Sequence, residues 1–297
     1  MDATVLLTPL LSTMSQQRQD SQRYYASEQY LLPADTVETA RLNTQHQVFV
    51  RAFGGGLSLI PMTNFKTGDR VLESAAGTGI WALEFYQKHK ENGIILDIEC
   101  IDISDRQFQR LGCPLDIHFS LHSVTDLPAE WTDTFAYIHQ RLLSIAMNET
   151  LWQRAISELF RTLSSGGWVE LVELDLKNGK VDVGPYSSKI RSLTFAIFAA
   201  KGIVVDLQGY LPLLLKQVGF VDIQCETRVL PVGRSPDIGY PSEELGGVCR
   251  GMMGPILDHG LIETKEEYEN IVRESVREWN ESNKASIVGF TIIARKP

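Results

Sequence analysis

The spacing of apolar residues along the chain changes near Pro61. Before it, two stretches have helical spacing. The first runs from Ser21 to about Leu32 and stops at Pro33, because a residue preceding proline avoids helical geometry. The second runs from about Asp35 to Phe53 and is broken by Gly54, Gly55 and Gly56, since glycine is costly inside a helix. Beyond Pro61, short apolar runs alternate with segments of helix length. Strands are expected at Arg70–Glu73, Ile94–Ile101, Ile117–Phe119, Thr134–Ile138, Gly167–Leu174, Phe220–Val229 and Ala285–Arg295. Helices are expected at Gly79–His89, Glu149–Ser164, Tyr186–Lys201 and Leu207–Val218. This alternation predicts βαβ units and an α/β fold around a mainly parallel sheet, buried on both faces. Thr264-Lys265-Glu266-Glu267 has capping-box spacing and opens one further helix, to about Glu281.

The organisation that follows is a mobile, Gln/Ser-rich N-terminus over 1–20 and a helical cap over 21–66. The core then spans 67–230, a helical insertion 231–285, and a last core strand 286–297. The insertion and the 186–202 helix are candidates for a lid over a substrate. With 297 residues, 43% of them hydrophobic and 22% charged, the chain has enough apolar material for one sizeable core. A net charge of -9 without a basic stripe argues against nucleic acid as partner. Cys100, Cys113, Cys225 and Cys249 form no CxxC pair and no zinc spacing, so free thiols in a reducing compartment and no metal are expected. The apolar patch Val5–Leu11 is broken by Pro9 and too short for a secretory signal. No stretch reaches the ~20 apolar residues that span a bilayer. A cytoplasmic protein without membrane or nucleic-acid partners is expected, its oligomeric state left open.

The chemistry concentrates in Val71-Leu72-Glu73-Ser74-Ala75-Ala76-Gly77-Thr78-Gly79-Ile80-Trp81. A buried strand ends at an acid, passes through small residues and feeds a helix, whose first N–H groups are free. In an open α/β sheet, ligands bind at this carboxyl end of the strands. The GxGxxG of dinucleotide folds is not met, and neither is the lysine of a P-loop. Asp102 closes the next strand about 20 residues on, where an acceptor-only carboxylate can take both hydroxyls of a ribose; Ile103 follows it. His122-Ser123-Val124-Thr125-Asp126 succeeds the third strand, either as a base-holding loop or as a turn into Pro128. The fourth strand ends in His139-Gln140-Arg141. His139 is a candidate general base, and Arg141 a partner for a ligand carboxylate or for Glu73. His46, on the helix before the glycine run, is a further candidate.

The run Glu73–Gly79 resembles the first motif of class I methyltransferases, with Ala75 in place of the usual first glycine. Tyr30-Leu31-Leu32-Pro33-Ala34-Asp35, Glu38, Arg41-Leu42 and Gln45-His46, joined to Gly77-Thr78-Gly79-Ile80-Trp81-Ala82, resemble fungal methyltransferases of secondary metabolism. That group is related to trans-aconitate methyltransferases and to a global regulator of such pathways. The resemblance is good over roughly 24–175. It implies a Rossmann-like sheet of seven strands, the last antiparallel, with S-adenosyl-L-methionine as methyl donor. It also implies a cofactor site of Tyr30, Glu73, Ser74, Ala75, Gly77, Thr78, Gly79, Asp102, Ile103, Ser123, Val124, Gln140 and Arg141. The expected acceptor is an S, O or N atom of a small natural product, epidithiodiketopiperazines among them. Phe195, Phe198, Tyr210, Met252 and Met253 are candidates to line its pocket. A regulatory protein that keeps the fold, a catalyst that binds the cofactor without consuming its methyl group, and a protein methyltransferase are the alternatives.

Overall fold

A computed structural model describes residues 24–27, 29–233 and 239–297. The N-terminus expected to be mobile over 1–20 lies outside the described residues. The strands are β1 (Arg70–Ser74), β2 (Asp97–Asp102), β3 (Ile117–Leu121) and β4 (Phe135–Arg141), then β5 (Leu163–Lys180), β6 (Val221–Gly233), β7 (Tyr240–Pro241) and β8 (Ser286–Arg295). The helices are α1 (Thr36–Ala52), α2 (Ile80–Glu91), α3 (Glu149–Thr162) and α4 (Pro185–Lys201), then α5 (Leu207–Val218), α6 (Ser242–Gly251), α7 (Met253–Asp258) and α8 (Lys265–Glu281). The sheet order is β3-β2-β1-β4-β5-β8-β6-β7, with β8 antiparallel to both neighbours and every other pair parallel. The seven expected strands are thus joined by one more, the two-residue β7 at the edge.

Strand side chains alternate between the two faces of a sheet, and this parity sorts the core. Val71, Ile98, Cys100 and Tyr137 pack against Trp81, Phe85 and Tyr86 of α2. Their neighbours Leu72, Ile101, Ile138 and Val169 pack on the other face against α3 and α5. There the apolar stripe of α3, Trp152, Ala155, Ile156 and Leu159, recurs at helical spacing and is fully buried. A third cluster joins α4, α6, α7 and α8 to α1, β5 and β8, a helical layer that contains the candidate lid. Among the described residues, no helix is long and apolar enough to cross a membrane.

The segment before α1 is not the expected helix: residues 24–27 and 29–35 are irregular. An extended strap buries the consecutive residues Leu31 and Leu32, which a one-faced helix could not do. Ala34 N donates to Tyr24 O at 2.7 Å, and the Tyr25 hydroxyl donates to Gly251 O at 2.9 Å. The strap crosses α6 so closely that a Cβ on Gly251 would lie 2.6 Å from Leu32 Cδ2.

Two lid helices are tied end to side. The Glu278 carboxylate on α8 accepts the N–H groups of Tyr186 (3.0 Å) and Ser187 (2.7 Å) at the start of α4. It supplies the cap that Gly184, at the N-cap position, cannot provide from a side chain. Glu278→Ala is expected to destabilise the fold by about 1–2 kcal/mol, the usual cost of a lost cap. Urea denaturation checks this, and Glu278→Gln should retain most of the loss.

Candidate active site

Between Ser74 and Ile80 the chain turns from strand to helix through three left-handed residues: Ala75 (φ 54°), Gly77 (55°) and Gly79 (80°). Gly79 has no alternative, because a Cβ there would lie 2.6 Å from the Phe119 ring on β3. Ala75 adopts the same backbone with a side chain, at a cost of order 1 kcal/mol. Two partners hold the turn. Gly77 N donates to Asp102 Oδ2 at 2.9 Å across the ends of β1 and β2. From above, α1 lays Leu42 against Gly77, and Asn43 Oδ1 accepts the Thr78 hydroxyl at 2.8 Å.

A cavity of about 460 Å³ opens over this turn and continues under the lid. Of the expected site residues, Tyr30, Ser74, Ala75, Gly77, Thr78, Asp102, Ile103, Ser123, Val124 and Arg141 line it. Glu73, Gly79, His139 and Gln140 do not. Gly79 is the N-cap of α2 behind the turn. Gln140 is buried beneath Ser74, whose hydroxyl it accepts at 3.1 Å. The reason for Glu73 and His139 is strand parity: they share a face with Val71 and Tyr137 and point at α2. Glu73 Oε2 and His139 Nδ1 lie 2.5 Å apart, both buried, and the imidazole stacks on Trp81 at 3.9 Å and 5°. Burial pushes the Glu73 carboxyl well up and the His139 imidazole down to about 3, which favours a neutral pair sharing one proton. A general base must reach the reacting atom, and His139 is buried and outside the cavity lining.

His46 does not line the cavity either. It bridges Arg141 Nη1 (2.8 Å) and Glu84 Oε2 (2.9 Å), an arrangement that requires its proton on Nε2. Burial, then the Arg141 charge, lowers it to about 4. Burial raises Asp102, against the pull of the N–H groups of Gly77 and Ser104. Glu173, beneath the loop after β4, accepts Leu143 N (3.0 Å) and Ser144 N (2.9 Å), and burial pushes it up to about 8. It fixes the turn at Leu142, which has a positive φ of 59° and faces the cavity.

Under the lid the lining is mostly apolar: Ile190, Phe195, Phe198, Val248, Met252 and Trp279. Three of the five expected pocket residues are here; Tyr210 packs against α3 and β5, and Met253 lies outside the lining. Sequence reasoning missed the loop Leu142–Met147, the strap residues Ala26, Ser27, Gln29, Leu32 and Ala34, Gln107 and Trp279. Only the strap carried a signal, through Tyr30. Among the described residues, no cluster of side chains could hold a metal ion, and all four cysteines are free.

Residues 71–167 match the family described as "Methyltransferase domain". The methyltransferase pytC of Aspergillus terreus is 26% identical over 218 residues, covering 71% of this chain and 64% of that protein. The N-methyltransferase sirN of Leptosphaeria maculans is 33% identical over 145 residues, covering 48% and 49%. The secondary metabolism regulator LAE1 of Cochliobolus heterostrophus is 26% identical over 211 residues, covering 66% and 63%. The chain spans between about half and just under two thirds of the length of these relatives. Among solved structures, the phosphoethanolamine N-methyltransferase 2 of Haemonchus contortus with S-adenosyl-L-methionine aligns at a TM-score of 0.50. Its identity is 17%, over 86% of this chain and 52% of that one, which is a likeness of fold. With its sheet order and glycine turn, the chain has a Rossmann-like methyltransferase fold, and residues 71–167 are similar to the methyltransferase domain family. The curated relatives named above are fungal proteins, two of them named as methyltransferases and one as a regulator of secondary metabolism.

Two outcomes follow from the turn and the histidines. Gly79→Ala is expected to destabilise the protein by about 1–3 kcal/mol, through its φ and the Phe119 contact. Phe119→Leu in the same chain should recover part of that loss in urea melts. The unfolded chain protonates histidine near 6.5, but His46 in the native state only near 4. Its contribution is therefore lost as pH falls from 6.5 to 4, by up to about 1.4 kcal/mol per pH unit. The raised buried carboxyls act with the opposite sign, so the comparison is with a variant. His46→Asn keeps an acceptor for Arg141 and should lose less stability than wild type over that interval.

Proposed function

We propose that this protein transfers the methyl group of S-adenosyl-L-methionine to a heteroatom, S, O or N, of a small, largely apolar natural product. The observation that carries this reading is the single cavity that joins the glycine turn and Asp102 to the apolar chamber under the lid. Its size suits a ligand of a few hundred daltons. Its polar end fits the cofactor's parts: Gln107, whose buried Nε2 has no partner, lines it, and Asp102 presents a carboxylate at the β2 end. Asp102 would hold the ribose hydroxyls, Ser123 and Val124 the adenine edge, and Ile103 the adenine face. The turn Ser74–Thr78, Tyr30 and Arg141 would surround the amino-acid part. When bound, S-adenosylmethionine supplies a methyl group on a good leaving group, so what remains for the chain is positioning and exclusion of water. The lid, α4 with the insertion 231–285, supplies apolar walls, and the loop clamped by Glu173 faces the acceptor side. The fungal relatives named as methyltransferases support the reading, and His139 has no part in it.

The test is transfer of labelled methyl from the cofactor to a panel of apolar thiols, hydroxyls and amines. Turnover of at least one class is expected. Thr194→Trp, which fills the lid end, should lower kcat/KM about tenfold or more while leaving cofactor affinity unchanged. Turnover indifferent to that substitution, or no transfer while the cofactor stays bound, would contradict the proposal.

A further inference from the structure

Arg41 is a buried cation with one edge unused. Its Nε and Nη2 both donate to Glu38 Oε1, one turn back on α1, and both side chains are nearly inaccessible to water. The third nitrogen, Nη1, is buried and has no partner, and Arg41 lines the cavity. A guanidinium offers N–H groups in a fixed fork, so Glu38 does more than neutralise it. Glu38 sets the plane of the fork and leaves the Nη1 edge without a partner. Burying a donor without a partner costs about 1–3 kcal/mol, a cost that a ligand acceptor at this point would remove. The neighbouring carboxylate does not do so: Glu244 on α6 forms no ion pair with Arg41 and does not line the cavity. The aliphatic stem is held too, since a Cβ on Gly247 would lie 3.3 Å from Arg41 Cδ.

We infer that Arg41 Nη1 receives the α-carboxylate of the cofactor's methionine moiety, and that Glu38 positions it to do so. The inference rests on the cofactor reading above and adds a group to it. Leu42, the next residue, lies on Gly77, and Gly247 of α6 lies against the Arg41 stem, so Arg41 stands between the turn and the lid helix. Of the other cavity arginines, Arg141 already gives Nη1 to His46 and Arg191 pairs with Asp182. A carboxylate on a preset guanidinium edge makes a charge-assisted bond, stronger than a neutral one. A carboxylate on the acceptor is the other source of the same chemistry, and the test separates the two.

The experiment is calorimetric titration of S-adenosylhomocysteine and of 5′-methylthioadenosine, which lacks the amino-acid part, into wild type, Arg41→Met and Arg41→Lys. Thermal melts verify folding. Arg41→Met is expected to weaken S-adenosylhomocysteine about tenfold to a hundredfold and to leave methylthioadenosine within about twofold. Arg41→Lys should fall between, because it keeps the charge and loses the fork. Equal losses for both nucleosides would make Arg41 a structural residue and overturn the inference. Unchanged S-adenosylhomocysteine binding, with a raised KM only for carboxylate-bearing acceptors, would overturn it in favour of the other source. Wild type that binds neither nucleoside would overturn the cofactor reading and this inference together.

Discussion

The contact between Gly77 N–H and the Asp102 carboxylate ties the first two strands at the point where the chain must turn most sharply. Without it, three left-handed residues in five would have little to hold them, since each is a conformation that side chains resist. With it, Leu42 and Asn43 of α1 find a fixed surface, and α1 in turn places Arg41 at the cavity and His46 behind Arg141. The strap before α1 then has the lid to cross. The cap, the turn and the lid are successive consequences of one clasp between strand ends.

A second layer of polar chemistry lies beneath the sheet ends. Glu73, His139 and Glu170 sit side by side in register on β1, β4 and β5, facing α2 and the segment around Ser58. Glu170 accepts the hydroxyls of Ser58 (2.6 Å) and Tyr137 (2.9 Å) as well as Leu59 N. Burial raises both carboxyls and lowers the imidazole, so the row holds few net charges. It ties together the ends of the strands that carry the site and is not part of the cavity lining.

Most strands and the long helices were legible because apolar periodicity reflects burial directly. The strand-to-helix turn was legible because small residues between an acid and an apolar helix have few other uses. What escaped depended on spatial neighbours. Glu73 and His139 stand at strand ends, where ligands bind, and only their parity with Val71 and Tyr137 turns them away. The helices α6 and α7 were hidden by Gly246, Gly247, Gly251 and Pro255, which read as breakers along the chain. In the fold, two of those glycines admit close crossings: a Cβ on Gly246 would lie 2.6 Å from Val276 Cγ2, and one on Gly251 equally near Leu32 Cδ2. Arg41 appeared only as part of a family-like pattern, because a half-used guanidinium becomes visible only when Glu38 and the cavity are both in place.

The measurement that tests the central claim most directly is calorimetric titration of S-adenosylmethionine into wild type and into Gly77→Arg. That substitution places a long side chain at a left-handed residue under Leu42, inside the cavity mouth. The account predicts one site of about micromolar affinity in wild type and none in the variant, with circular dichroism showing both folded. Equal binding by the two proteins, or none by a folded wild type, would contradict it.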